Sequence, residues 1–351
     1  MNALLSQANN LFVFSKLFSA SHIINKMFNI PITVNMLITS KCNLHCGICS
    51  ARDMLDTDTD LTYEQIGEFI NTIFKCSPAV FIGGGEPFLR KDIFDILECL
   101  KKNRLKYGIV TNGTVLNQKK IDRLFTVTPE VLIFSIYGPK VLHESMTGMP
   151  DSFDRISDNI KYAVKKNKTK IILNCVINES NYEHLEECIL LGQEFGVAQV
   201  RFEHLIFVTE KEYEAHISVC KDKFSEEECK LTTNVQNIDN PEMGQVLKDE
   251  IFRLQKKFRK FVLFKPYLNK NELSGWYNDG FKFNRNCSFI RHSVFIKHNG
   301  DIIPCQFLSN YVLGNIKKND LIETWRGRKK KQFDAVLKKG ILPGCVRCCK
   351  L

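Results

Sequence analysis

Cys42, Cys46 and Cys49 lie in Thr39-Ser-Lys-Cys42-Asn-Leu-His-Cys46-Gly-Ile-Cys49, so three of the chain's fourteen cysteines fall within eight residues. Three thiolates can hold an iron–sulfur cube at three corners and leave its fourth iron open to a small ligand. An open coordination position marks a reactive metal site, whereas a fully ligated one is usually structural or electron-carrying. The same spacing would also set the three side chains on one helical face as small buried hydrophobes. Against that stripe, the segment follows the β-like run Ile32 to Thr39, and Asn43 and Gly47 are weak helix formers. A loop leaving a strand is the better placement.

The C-terminal region carries a second set. Cys287, Cys305, Cys345 and Cys348 supply four ligands, with Cys349 as a possible substitute for Cys348. Val294 to Pro304 reads as a β-hairpin turning at Asn299-Gly300, which would bring Cys287 and Cys305 together. Four cysteines with a CxxC pair suit structural zinc as well as iron and sulfide. Cys76, Cys99, Cys175, Cys188, Cys220 and Cys229 have no partner spacing and read as core or surface thiols.

The elements that would position the first set alternate between residues 32 and 205. Strands are expected at Thr33–Ile38, Ala79–Ile82, Tyr107–Val110, Val131–Ser135, Ile171–Val176 and Gln199–Leu205. Helical patterns fill the gaps at Tyr63–Phe74, Ile93–Lys102, Gln118–Phe125, Phe153–Val164 and Tyr182–Phe195. Six such units imply an α/β fold with a parallel sheet, a partial (β/α)6 TIM-type barrel. Alternation separates a helix-covered apolar face from a lumen face that would carry Asn35, Ser135, Asn174, Arg201 and Glu203. A closed eight-stranded barrel packs its lumen with branched apolar residues, so these polar positions suit a partial barrel around a polar ligand. A structural ion pair between Arg201 and Glu203 is the simpler alternative.

Three loops at the C-terminal strand ends then converge on one rim: Cys42–Cys49, Gly83-Gly84-Gly85-Glu86-Pro87 and Thr111-Asn-Gly113. Three glycines expose backbone donors and carbonyls to close approach. Glu86 offers a carboxylate for an ammonium group.

Bulk properties narrow the rest. At 351 residues the chain can form about two domains. Residues 1–30 have only short, interrupted apolar runs, so neither a secretion signal nor a membrane span is expected. The cysteines therefore read as reduced, metal-binding thiols in a cytoplasm. The net charge of +10 favours anionic partners, but it is spread thinly. Basic runs such as Arg328 to Lys331 read as solvated faces, and no aromatic-interleaved stripe or finger spacing supports nucleic-acid binding.

Cys42-X3-Cys46-X2-Cys49 after strand one and Gly83–Pro87 after strand two resemble a radical S-adenosylmethionine enzyme. Thr111-Asn-Gly113 and the Ser135 strand extend the resemblance over residues 32 to about 205. It implies a 4Fe–4S cluster on Cys42, Cys46 and Cys49, with S-adenosylmethionine chelating the open iron. The Gly83–Glu86 loop would receive its ammonium group, and Ser135 and Asn174 its ribose or carboxylate. The implied reaction is reductive cleavage to a 5′-deoxyadenosyl radical that abstracts a substrate hydrogen atom, with an external one-electron donor such as flavodoxin or ferredoxin. The family often has Asp where this chain has Tyr137, so no substrate role is carried onto that loop.

Cys287-X12-Gly300-X4-Cys305 with the late CxxC resembles the SPASM/Twitch extension of such enzymes. The chain has too few cysteines here for the full seven-cysteine pattern, so one auxiliary 4Fe–4S cluster is implied, able to accept an electron from a substrate radical. The expected organisation is an N-terminal extension (1–30), a barrel core (31–206), a bridging or capping segment (207–284) and a small α+β auxiliary domain (285–351). Oxidation or rearrangement of a small polar metabolite is the first functional expectation. Maturation of a ribosomally made peptide is the second, weakened by the roughly thirty residues before strand one, too few for a fused leader-binding domain. A noncatalytic electron carrier, which needs no glycine loop, is the third.

Overall fold

The computed structural model describes residues 29–351 apart from positions 56, 58 and 237–239. All but the last two residues of the expected N-terminal extension lie outside that range.

Six parallel strands form where the apolar runs place them: β1 (Thr33–Leu37), β2 (Ala79–Gly83), β3 (Tyr107–Thr111), β4 (Val131–Ser135), β5 (Lys170–Ile177) and β6 (Gln199–His204). Two of the connecting helices start on side-chain caps. Thr62 and Gln65 form a reciprocal capping box before Tyr63–Ile73, and Asn117 caps Gln118–Val127. One helix, Lys140–Thr147, has no counterpart in the expected pattern, and the helix expected from Tyr182 begins at Leu185. Asn178 and Asn181 occupy the residues before it with a network of local hydrogen bonds, Asn181 Oδ1 accepting from the Asn178 amide at 2.9 Å.

The sheet is longer than expected. Residues 207–284 contribute β7 (Val262–Lys265), which pairs in parallel with β6. This strand has only four residues, too few for its alternation to stand out from the charged surroundings. It follows an 18-residue helix, Pro241–Phe258, whose Met243, Leu247, Ile251 and Leu254 are buried at helical spacing. At the other edge β8 (Ser293–Ile296) pairs in parallel with β1, and β9 (Asp301–Ile303) and β10 (Gly314–Asn315) follow antiparallel. The expected hairpin is therefore present, and it extends the barrel sheet. The order is β10-β9-β8-β1-β2-β3-β4-β5-β6-β7, an open sheet curled into a partial barrel.

Val34, Met36, Leu132, Phe134, Leu173, Cys175, Val200 and Phe202 are all fully or almost fully buried beneath the helices. Ala79, Val131, Ile133 and Ile172, with Phe81 and Val110, form an apolar floor. Of the basic run at 328–331, Lys330 is buried, not solvated: it bonds both Asp334 oxygens at 2.7 Å and lies 4.0 Å from the Trp325 ring centre.

Candidate functional site

The loop after β1 is held at its edges. Thr39 Oγ1 donates to Asp60 Oδ2 at 2.6 Å, and the Ser40 amide donates to Asp60 Oδ1 at 2.9 Å. The Arg90 guanidinium donates to the carbonyls of Ile38 (2.7 Å) and Leu61 (3.0 Å). Cys42, Cys46 and Cys49 are left partly exposed. Burial raises the Cys42 thiol and pushes Cys46 up to about 11, with the neighbouring cysteines adding to both shifts. The three thiols thus converge. Tyr137, half-buried and with its hydroxyl raised by burial, hydrogen-bonds Cys46.

The glycine loop zips onto this segment. The Gly85 amide donates to Thr39 O at 2.9 Å and the Glu86 amide to Lys41 O at 2.8 Å. A β-carbon on Gly84 would lie 2.5 Å from Thr39 O, and one on Gly85 only 2.1 Å from Lys41 O. Those two positions need glycine for close backbone approach. Gly83 has nothing within 4 Å of a built β-carbon and leaves the space open. Glu86 is fully buried and accepts from Phe88 N (3.1 Å), Thr111 Oγ1 (2.8 Å) and Asn112 N (2.7 Å). Burial outweighs these donors and pushes its pKa up to about 7. The third loop closes the set, with Asn112 Nδ2 donating to Asn43 Oδ1 at 3.0 Å inside the cysteine window.

Across the lumen the strand register aligns Ser135 with Asn174 and Asn174 with Arg201. Arg201 Nε donates to Asn174 Oδ1 at 2.5 Å and stands 3.5 Å from Glu203 Oε1. The expected ion pair is present, but it has company. Burial alone would raise the Glu203 pKa; Lys350, Arg201 and Lys265 overturn that and hold it at about 2.

The C-terminal thiols are more deeply placed. Burial pushes Cys305 up to about 12 and raises Cys287, Cys345 and Cys348. Cys345 and Cys348 each feel Cys305, and Cys305 and Cys345 feel Cys287, so these four form one group. Cys348 also feels Cys349, whose Sγ donates to Glu203 Oε2 at 3.6 Å. Between Cys345 and Cys348, Arg347 is buried and donates to Trp276 O (2.6 Å), to Asn278 O (2.7 Å) and to the Glu212 carboxylate. Its guanidinium lies 4.7 Å from the Phe207 ring centre.

Residues 36–192 match the Radical SAM superfamily, and residues 287–349 match SPASM, the iron-sulfur cluster-binding domain. The chain carries a radical SAM domain followed by a SPASM domain. Among curated relatives, the tungsten-containing aldehyde ferredoxin oxidoreductase cofactor-modifying protein of Pyrococcus furiosus is 22% identical over 89% of this chain and 85% of its own. The AdoMet-dependent heme synthase of Methanosarcina barkeri is 27% identical over 48% of this chain, a match spanning about half (49%) of that protein. Among solved structures, Streptococcus suis SuiB bound to precursor peptide SuiA superposes with a TM-score of 0.64 at 17% identity, covering 88% of this chain and 68% of that one. For anSMEcpe with bound AdoMet the TM-score is 0.63 at 17% identity, covering 91% and 88%. These likenesses are of fold.

The donor sets fit the cofactors of such domains. In the radical SAM domain, three partly exposed thiols lie on the loop after β1, and a β-carbon on Gly83 would meet nothing within 4 Å. In the SPASM domain, Cys348 is buried and Cys287, Cys305 and Cys345 are partly exposed, and the four thiols can close around a metal centre. Among the described residues, the group of metal-ligating side chains whose donor atoms all lie within 4.8 Å is Glu144, Asp151 and Asp154, and neither cysteine set is so tightly drawn. Asp60, Arg90 and Arg347 take no part in the sequence expectation because each acts through a backbone group or an ion pair made only in the fold. Arg347 alone had a signal, its place inside the CxxC.

Proposed function

We propose that the chain reductively cleaves S-adenosylmethionine and uses the resulting radical to oxidise or rearrange a small polar metabolite. The observation that carries this reading is the polar lumen row Ser135–Asn174–Arg201–Glu203, which lies between the glycine-loop rim and Cys349 beside the C-terminal thiols. Cys42, Cys46 and Cys49 would hold the first 4Fe–4S cluster; Cys287, Cys305, Cys345 and Cys348 would hold one auxiliary cluster. When bound, the first cluster and S-adenosylmethionine supply the electron transfer and the 5′-deoxyadenosyl radical. The chain's own part is positioning. Gly83–Glu86 backbone groups receive the ammonium group, with Glu86 tying that loop to β3. Ser135 and Asn174 orient the ribose or carboxylate, and the apolar floor shields the open end of the lumen from water. An external one-electron donor such as flavodoxin or ferredoxin would reduce the first site.

A second reading, maturation of a ribosomally made peptide, draws on the fold shared with the peptide-bound SuiB. Its discriminating feature is a substrate too long for the lumen, whereas the charged residues here lie inside it.

Anaerobically reconstituted protein is expected to convert S-adenosylmethionine to 5′-deoxyadenosine on reduction, and a Cys42→Ala/Cys46→Ala/Cys49→Ala variant to lose this while staying folded. That variant should retain about four iron and four sulfide at the auxiliary site. Cleavage surviving the triple change would end the assignment.

A further inference from the structure

The turn of the SPASM hairpin meets the radical SAM site. β8 runs parallel beside β1, with Ile296 in register with Met36, so the residues that follow it emerge at the rim that carries the cysteine loop. There the Lys297 amide donates to Asp301 O at 2.8 Å and the Gly300 amide to Lys297 O at 2.9 Å, which closes the turn. A β-carbon on Gly300 would lie 3.2 Å from Leu61 Cδ2, so the turn is pressed against the segment before the first helix. His298 projects from this turn and is only 4% exposed. It grips that segment twice. Its carbonyl accepts from the Leu61 amide at 2.7 Å. Its Nδ1 stands 3.3 Å from Asp60 Oδ1 and 3.4 Å from Thr57 Oγ1.

Asp60 and Thr57 are also the residues that hold the start of the cysteine loop. Asp60 accepts from Thr39 Oγ1 and the Ser40 amide, and Thr57 O accepts from Ser40 Oγ at 2.7 Å. Thr39 and Ser40 are buried, and Thr39 O accepts the Gly85 amide of the glycine loop. Thr57 and Asp60 belong to no helix or strand, so side-chain contacts such as those of His298 decide where they stand. We propose that His298 is a positioning residue of the S-adenosylmethionine site, through which the SPASM hairpin sets the cysteine loop. His298 fixes Thr57 and Asp60, these fix Thr39 and Ser40, and Cys42 follows two residues after Ser40. The hairpin that leads into Cys305 thereby bears on the radical SAM triad as well as on its own thiols. The inference rests on the proposed function for the identity of the ligand. The cysteine and glycine loops are both assigned to S-adenosylmethionine, so its affinity reads any slip between them. The simpler alternative is a hairpin anchor that contributes stability alone.

The test is equilibrium dialysis of S-adenosylmethionine against reconstituted full-length protein. His298→Leu removes the ring nitrogens and is expected to weaken binding about tenfold, the scale of a lost contact with a charged group. His298→Asn keeps an N–H donor close to where Nδ1 stands and should restore most of the affinity. Asp60→Asn should weaken binding by itself, and adding His298→Leu to it should cost less than in the wild type, because a residue acting through another gives a non-additive pair. Iron content and circular dichroism show whether each variant is folded and loaded; His298→Gln replaces His298→Leu if that one is not. Unchanged affinity with lowered thermal stability leaves a hairpin anchor and overturns the proposal, as does full additivity of the pair. Cleavage assayed on the same wild-type sample keeps the two ideas apart. Binding without cleavage would remove the proposed function and leave the positioning role standing, and a wild type that binds no S-adenosylmethionine overturns both.

Discussion

The two thiol sites of this chain are built by opposite means. The radical SAM triad sits on a loop fastened at its margins by backbone bonds from Gly85 and Glu86 and by Asp60, with its thiols partly exposed. Half of the SPASM set, Cys345 and Cys348, sits on a tail held against the core by one buried guanidinium, Arg347; Cys348 is itself buried, while Cys287, Cys305 and Cys345 are partly exposed. A site that must admit a small ligand cannot bury its ligands without closing its open position. A site ligated wholly by protein can, and burial then protects it.

The largest expected effect breaks the second anchor. Arg347→Ala removes both carbonyl contacts and leaves Glu212, whose side chain is 13% exposed, without its guanidinium. Breaking one half of a buried ion pair costs about 3–5 kcal/mol. Denaturant unfolding should show that loss, and iron analysis should show about four iron atoms fewer than wild type, matching one cube. Retention of the wild-type iron content would mean that Arg347 anchors the tail without shaping the SPASM site.

The same contrast governs what could be read from the chain. Strand positions, the hairpin at Asn299-Gly300 and the convergence of three loops were legible because each is a local pattern of alternation, turn chemistry or spacing. The lumen residues Asn174, Arg201 and Glu203 were legible from alternation alone. Lys265 was not, because its strand is four residues long and sits among charged neighbours. The choice between Cys348 and Cys349 was equally closed to sequence. Both thiols are buried, Cys348 feels Cys305 and Cys345 as well as Cys349, and Cys349 meets Glu203, contacts that depend on the path of the tail. Asp60 and Arg90 act at a distance in sequence, through the β1 loop, and no spacing rule marks them.

An intermediate effect tests the backbone anchor. Gly85→Ala forces a β-carbon to within 2.1 Å of Lys41 O, so the glycine loop and the cysteine loop must separate. Such overpacking costs about 1–3 kcal/mol. Cleavage of S-adenosylmethionine should fall tenfold or more, while iron in the SPASM site is retained. Gly83→Ala is the control, since its β-carbon meets nothing within 4 Å. It should leave stability unchanged and raise the KM for S-adenosylmethionine. Equal loss of cleavage in both variants, with stability retained, would mean that glycine serves ligand access at both positions.

The smallest effect separates the two regions by pH. Each has a buried neutral histidine: His143, stacked on Tyr137 beside the triad, and His204, whose Nδ1 lies 2.7 Å from the Tyr277 hydroxyl on the segment that Arg347 grips. Burial lowers His143 to about 4 and His204 to about 3. The unfolded chain therefore binds more protons below the ordinary value of 6.5, and the stability these residues confer is full above it and drains as pH falls. The slope for each is at most about 1.4 kcal/mol per pH unit. At pH 7 His204→Phe should be less stable than wild type, having lost the Tyr277 contact. Between pH 6.5 and 4 that gap should narrow, because only the wild type still has an imidazole at position 204 to charge on unfolding. His143→Phe should show the same narrowing, ending nearer pH 4 because His143 is the less depressed of the two. A gap that stays constant over this range in thermal unfolding would show that His204 is already solvated in the folded protein and that the SPASM side is not the drier of the two regions.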